Sequence, residues 1–447
     1  MSTRIPLAMH TAYADLVDRC GVAAFESAFT GDGNFVAKTV RGRKYWYFQE
    51  TTPEGRRQKY VGPETEELLE QIDRHRSALD DARDRQALVS MLVRSAYLPR
   101  PQAKMGQVLQ ALAQAGVFRL RAVLVGTIAY QTYAAMLGVR LPAASLQTGD
   151  LDIAQHRTIS VAAKDKTPPP LAILKAVDES FRPVPHLKDP TRATSYLAAG
   201  GLRVDFLTPN RGADSGEPEP LPALATDAHP LRFLDYLVHE PTRAVVLHGA
   251  GVYVSVPTPE RYALHKLIVA QRPDRLNEKK GKDIVQAESL LQILLEDRVH
   301  DLSAAWHDAA GRGKKWKALL LKGLGVLEAA TRDGLLKATG ETRSTVPGID
   351  LEFASPQARY DVDRDVVLFT GTSAGNRHRC AISREALEDY FGDFGGGEKL
   401  ALEAFRNNRN LIEKLVREKF LHAPVGNAEE TLLKSDDIPL LRKRLKI

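Results

Sequence analysis

Two aspartates two positions apart, Asp150 and Asp152, lie in the run TGDLDIA, and a third, Asp205, lies in LRVDFL. In an extended strand, side chains i and i+2 point to the same face, so Asp150 and Asp152 converge on one small volume while Leu151 and Ile153 face a core. Carboxylates that close repel each other unless a cation joins them or one takes up a proton. A hard divalent ion with oxygen ligands resolves the repulsion, and Mg²⁺ suits that role. Asp205, centred between apolar strand neighbours, is costly unless it is paired or metal-bound. Three such carboxylates can hold two metals about 3.5–4 Å apart, the arrangement that clamps an in-line phosphoryl displacement. Plainer placements exist for each. The pair suits a water-facing strand edge after the turn Thr148-Gly149, and Asp205 suits the solvent face of a hairpin.

Phosphoryl chemistry also needs donors for the phosphates. RAVLV (121–125) reads as a short apolar strand, Gly126-Thr127 as a tight turn, and IAYQTYAAML (128–137) as a helix. A helix start presents backbone N–H groups and the positive end of its dipole. Gly126 would let the chain approach a phosphate closely, and the Thr127 hydroxyl adds a donor. Lys266, in ERYALHKLIVAQR, and Lys282, after a glycine, are candidates to neutralise a triphosphate; a solvated helix face accounts for each equally well.

The ordered set of strand, Gly-Thr turn and helix, then Asp-x-Asp, then a single Asp on a later strand, resembles the nucleotidyltransferase superfamily of DNA polymerase β. LVGTIAYQTYAAMLGVRLP…TGDLDIA, GGLRVDFLTP and VPTPERYALHKLIVAQR resemble a bacterial branch related to the nucleotidyltransferases of abortive-infection and toxin–antitoxin systems. The resemblance covers roughly residues 100–300. It implies transfer of a nucleoside monophosphate from an NTP, ATP among the candidates, to an acceptor hydroxyl on RNA, protein or a small molecule. Pyrophosphate leaves, and two Mg²⁺ ions, or Mn²⁺, assist. It further implies that Gly126 and Thr127 contact the triphosphate, that Asp150 and Asp152 bind both metals, and that Asp205 helps activate the acceptor. The interval from Gly126 to Asp150 is longer than in the best-known members, which a longer helix and the loop from Pro142 to Gly149 accommodate. A nucleic-acid-binding or regulatory protein on a non-catalytic scaffold of the same kind is the rival reading, since fold does not fix function.

The rest of the chain must position these pieces. Residues 35–63 read as three short strands, FVAKTVR, KYWYFQE and RRQKYVGP, with turns at Gly42 and Pro53-Glu54-Gly55. A charged helix is expected from about Glu64 to Val93, and another near 102–115, stopped by Gly116. Leu151–Val161 reads as strand, KDKTPPP (164–170) and NRGADSGEPEPLP (210–222) as loops, and RATSYLA with LRVDFL as a hairpin around Gly200-Gly201. AVVLHG and VYVSVP precede a helix opening at Thr258-Pro259-Glu260. Helices should dominate from about 259 to 340, interrupted at Lys279-Lys280-Gly281-Lys282. Beyond a composition shift near 341–350, strands are expected around 351–354, 365–370 and 378–382, with Ser383 capping a helix and a last helix at 398–420. The basic tail Arg442, Lys443, Arg444, Lys446 reads as a solvated end. LEFASPQARYDVDRDVVLFTGTSAGNRHRCAISREALEDYFG resembles a small bacterial domain of unknown function.

The expectation is therefore an α+β protein: residues 1–100 a three-stranded β module with a long helix, 101–258 a nucleotidyltransferase core of mixed sheet and helices, 259–340 a helical extension, and 341–447 a C-terminal α+β module. A chain of 447 residues exceeds one hydrophobic core. With 43% hydrophobic and 26% charged residues it is not a disordered chain. Two cysteines build no disulfide framework, no Cys/His spacing matches zinc, and no run suggests a signal peptide or membrane span, so a cytoplasmic setting is expected. The net charge of +6 permits a nucleic-acid partner without demanding one. If one binds, the first surface to consider is the N-terminal sheet, where Lys38, Arg41, Arg43, Lys44, Arg56, Arg57 and Lys59 are interleaved with Tyr45, Trp46, Tyr47 and Tyr60; an ordinary half-buried sheet with a basic outer face accounts for it equally well.

Overall fold

The structure, a computed structural model, describes residues 3–28, 34–40, 43–52, 55–74, 82–163, 165–186, 189–210, 212, 216–273, 275–373, 376–392, 397–422 and 430–447. The expected turns at Gly42 and Pro53-Glu54, and part of the loop 210–222, lie outside these residues. The chain divides into two units, Met1–His265 and Lys266–Ile447, both mixing helices with sheets.

In the first unit a helix not foreseen from the sequence, α1 (Leu7–Ala28), precedes the three expected strands β1 (Asn34–Val40), β2 (Arg43–Thr52) and β3 (Gly55–Pro63), which form an antiparallel meander. Phe48 is the anchor: it packs with Phe25 of α1, Leu68, Phe35, Trp46, Val61 and Ile72 on one side of that sheet. Helices α2 (Glu66–Arg74), α3 (Ala82–Ser95) and α4 (Ala103–Gln114) follow, and Gly116 stops α4 at φ 91°, where glycine carries no penalty. Strand β4 (Val123–Val125) then leads straight into α5 (Gly126–Met136).

The central sheet adds β5 (Asp150–Ala154), helices α6 (Arg157–Ala162) and α7 (Pro170–Val177), and strands β6 (Arg182–Pro185), β7 (Ala193–Leu197), β8 (Arg203–Pro209), β9 (Glu219–Leu221) and β10 (Thr226–Leu231). Its order is β4-β5-β8-β10-β9, with β7 also on β8 and β6 beyond β7. The expected hairpin around Gly200-Gly201 is present as β7–β8. The strand expected over 151–161 is shorter. It ends at Ala154, and α6 takes over, because the Ser160 hydroxyl accepts from the Ala223 N–H inside the unit and so holds that segment wound. A short helix α8 (Leu234–Leu237) and the hairpin β11 (Thr242–Val246)–β12 (Val252–Val256) close the unit, and α9 (Pro259–Ala270) carries the chain into the next.

The second unit stacks α10 (Asn277–Asp297), α11 (Val299–Gly311), α12 (Lys314–Leu324) and α13 (Ala329–Thr339) around buried Trp306, Leu290, Leu294 and Leu335. The interruption expected at Lys279–Lys282 is absent, and α10 runs through it. Gly281 in a helix costs about 1 kcal/mol relative to Ala. Two residues on, the buried Asp283 is gripped by Lys266 and Arg275, which offsets that cost. A sheet of β13 (Ala358–Asp361), β14 (Val366–Ser373), β15 (Asn376–Ser383) and β16 (Glu430–Leu433) follows, packed on α15 (Glu398–His422), with α14 (Arg384–Phe391) capped by Ser383 as expected. The strand expected at 351–354 is reduced to one bridge, Glu352 to Thr372. In the tail Lys443, Arg444 and Lys446 are exposed as expected, but on a helix rather than a plain end. That helix is α16 (Asp437–Leu445), which buries Ile438 and Leu441 and sets the Arg442 guanidinium over the rings of Tyr390 and Phe391.

The unforeseen helix α1 packs through Leu16 and Phe25 and is tied to β11 by one hydroxyl. The Tyr13 Oη donates to Val245 O (3.2 Å) and accepts from Val245 N–H (3.0 Å), satisfying both backbone groups of that buried β11 residue. Tyr13→Phe keeps the packing and leaves both groups without that partner, a loss of about 1–3 kcal/mol. Urea unfolding of the full chain should show the first unit's midpoint falling accordingly. An unmoved midpoint would mean α1 is held by apolar contacts alone.

Candidate active site

The parallel pairing of β5 with β8 sets Asp150 opposite Arg203 and Asp152 opposite Asp205; β7, antiparallel on the other flank of β8, sets Ser195 opposite Asp205. Paired residues share a face, as do residues two apart along a strand. One side of the sheet therefore carries Asp150 beside Arg203 in one row and Asp152, Asp205 and Ser195 in the next. On the reverse side Leu151, Ile153, Val204 and Phe206 are buried completely. The alternation is what makes this segment a strand: apolar residues face the core, carboxylates face outward.

Gly126 stands against this face. Val125 of β4 is the register partner of Asp152, and the chain turns into α5 at the next residue with φ 69°. A Cβ placed on Gly126 would lie 2.2 Å from Asp152 Oδ2. Val125 has no side chain able to cap α5, and the carboxylate beside the helix start is favourably placed toward the dipole. The helix behind the turn is locked. Tyr262 donates to Gly126 O (3.0 Å), its ring packs on Tyr130 and Tyr133, and Tyr133 donates to Pro257 O (2.9 Å). Gln131 donates to Leu146 O (2.8 Å), which ties down the extra length between Gly126 and Asp150.

Residues 103–311, from the start of α4 to the end of α11, match the family model described as nucleotidyltransferase. This stretch, a little under half of the chain, is similar to nucleotidyltransferase domains. Residues 351–427 match a protein family of unknown function, DUF1488, in the place where the sequence resembles such a domain. No curated protein and no solved structure matches the chain. Among the described residues no helix is long and apolar enough to cross a membrane.

The sequence reading of the stretch 103–311 missed Arg203, a cation on the carboxylate face. Arg203 Nε donates to Asp205 Oδ1 at 2.8 Å, its Nη2 donates to Ser195 Oγ at 3.0 Å, and the Ser195 hydroxyl donates to the same Asp205 oxygen. Its hydrogen bond to Asp205, with the fields of Asp205, Asp150 and Asp152, raises the guanidinium pKa above its usual value. The signal was available: Arg203 precedes Asp205 by two residues, the same spacing that linked Asp150 with Asp152. Further along this face lies His229, paired with Leu207. Burial, the neighbouring His186 and Arg203 lower its pKa, against the opposing pull of Asp205.

Among the described residues, no three His, Cys, Asp or Glu side chains converge closely enough to hold a metal as they stand. The donor chemistry does fit a hard cation. Adjacent strands lie about 4.8 Å apart, so Asp152 and Asp205 are neighbours with Asp150 on the same face. In this arrangement the positive charge beside them is Arg203. Lys266 and Lys282, the other candidates, belong to the second unit. There Lys266 pairs with the buried Asp283 at 2.6 Å, alongside Arg275, and Lys282 is half-buried on α10.

The contact between Gly126 and Asp152 yields a sharp expectation. Gly126→Ala should destabilise by about 1–3 kcal/mol through its positive φ alone, with the overlap against Asp152 Oδ2 adding to that. Asp152→Ala removes the overlap and leaves the φ cost. A double-mutant cycle by urea unfolding should therefore give a coupling of about 0.5–3 kcal/mol, the pair costing less than the two singles together. Strict additivity would show that the carboxylate does not rest on the glycine.

Proposed function

We propose that the nucleotidyltransferase-like stretch transfers a nucleoside monophosphate from an NTP to an acceptor hydroxyl. The observation that carries this reading is the alignment of Asp152 with Asp205, and of Asp150 on the same face, directly against the Gly126 start of α5. The acceptor oxygen bonds to the α-phosphorus, the bond from that phosphorus to the bridging oxygen breaks, and pyrophosphate leaves with the electron pair. Asp150, Asp152 and Asp205 would hold Mg²⁺ or Mn²⁺, which when bound offsets charge on the attacking and leaving oxygens. Gly126 and Thr127 supply helix-start N–H donors to the phosphates. Asp205 is the carboxylate that takes the acceptor proton, and Ser195 with Arg203 fixes its orientation.

One observation favours the rival, a scaffold that binds without catalysis. The Asp205 oxygen facing Ser195 and Arg203 already accepts a hydrogen bond from each, so its lone pairs are committed within the protein.

Thermal melts separate the two. With Mg²⁺, an NTP at ~100 times its dissociation constant should add ~2.7 kcal/mol, and each kcal/mol moves the midpoint of a domain this size by roughly 2–4 °C. Asp152→Asn should remove nucleotidyl transfer to cellular RNA, protein or small molecules, assayed with labelled NTP, while leaving the fold intact. Transfer by wild type that persists in Asp152→Asn would sink the assigned role. A nucleotide shift without any transfer would establish the scaffold instead.

A further inference from the structure

The three-stranded sheet β1–β3 is two-faced. Its inner face is closed by Phe48, Phe35, Trp46 and Val61 against α1 and α2. The register places Lys38 opposite Tyr45, Tyr47 opposite Tyr60, and Gln49 opposite Gln58, all on the other face. There the ring of Tyr60 lies 6.5 Å from Tyr45 and 5.7 Å from Tyr47, centroid to centroid, and the Lys38 ammonium stands 5.1 Å over the Tyr47 ring. Gln58 donates to Gln49 at 2.8 Å and accepts from Lys38. None of these side chains is a carboxylate, and all three tyrosines are half-exposed.

Three aromatic rings on an outward sheet face are unusual, because such rings normally close a core. The strands do not need them there: the inner face already has its anchor in Phe48. The surroundings are basic. Arg43 and Lys44 are exposed at the start of β2, Lys44 beside Glu64, and burial raises the Tyr60 hydroxyl pKa while the exposed Arg121 acts against that rise. The platform is fixed to the nucleotidyltransferase-like stretch, since Arg119 donates to Tyr60 O at 2.8 Å and pairs with Asp165 at 2.7 Å.

We propose that the Tyr45–Tyr47–Tyr60 face binds single-stranded nucleic acid, with bases stacked on the rings and phosphates drawn to Lys38, Arg43, Lys44 and Arg121. Planar rings on a flat sheet can stack only on bases splayed from a helix, which selects single strands over duplex. The Gln49–Gln58 amides add hydrogen-bonding edges without charge. This goes beyond the transfer chemistry and stands apart from it: the face needs neither NTP nor a metal.

The test is fluorescence anisotropy with the full chain in EDTA and no NTP, using labelled oligouridylate, labelled oligothymidylate, and each strand annealed to its complement. Single strands should bind at low salt, duplexes markedly less, and affinity should fall steeply as salt rises. Preference between the two single strands assigns RNA or DNA. Tyr47→Ala and Tyr60→Ala should each weaken binding roughly tenfold, the scale of one lost base stack. Tyr47→Leu, which keeps apolar bulk, should lose as much as Tyr47→Ala, whereas Tyr47→Phe should retain binding. No single-strand binding, equal duplex binding, or an undiminished Tyr47→Leu would each overturn the proposal. Because nucleotide shifts are measured separately, failure here leaves the transferase reading standing, and the reverse holds too.

Discussion

Three like charges on one face of two adjacent strands must be held against their own repulsion, and the central sheet is arranged around that constraint. At roughly 4.8 Å between strands, Asp152 and Asp205 cannot avoid each other while β5 and β8 keep their parallel register. That register is not free to slip, because a one-residue shift would turn Leu151, Ile153, Val204 and Phe206 out of the core. The hydrophobic face thus enforces the crowding of the polar face. Arg203, inserted beside Asp150 and bonded to Asp205, is the charge that makes the arrangement tolerable.

The same logic explains the glycine. With Asp152 fixed by β5, its carboxylate occupies the space where any side chain at the start of α5 would project. Position 126 must therefore be glycine on two counts, the positive φ of the turn and the contact itself. Behind the turn, Tyr130, Tyr133 and Tyr262 form a fully buried cluster that holds α5 from the far side. Burial on this scale pushes the Tyr133 hydroxyl pKa well above its usual value, so it stays a neutral donor to Pro257. The Gly126 turn is thus hydrogen-bonded and packed on its α5 side.

The second unit uses charge differently. Lys266 and Arg275 close on Asp283, whose side chain is 2% exposed, and Arg343 is held by Asp333 and by the ring of Phe420. Buried charges of this kind are costly to leave unpaired, which fixes neighbouring segments in one arrangement. The Asp283 pairs hold α10 where it runs continuously through a lysine-rich, glycine-containing stretch that by local preference should break.

What the sequence determined by itself was local and periodic. Period-two alternation in DLDIA and RVDFL placed the three aspartates on strand faces, the strand–Gly-Thr–helix turn was readable from apolar runs and a glycine, and Ser383 was readable as a cap. The α+β class and the nucleotidyltransferase likeness followed from those pieces in order. Tertiary structure alone decided the partners: which strands lie side by side, and hence that Asp152 faces Asp205, that Ser195 joins them, and that Lys266 is bound to Asp283. It also decided the segments whose local signals were weak or misleading. Helix α1 depends on packing and on a hydroxyl meeting Val245 from the other end of the unit, α6 on Ser160 reaching Ala223, and α16 on apolar residues buried beneath a basic surface. Period and turn chemistry are written in neighbouring residues; pairing and burial depend on residues distant in sequence, which no local pattern encodes.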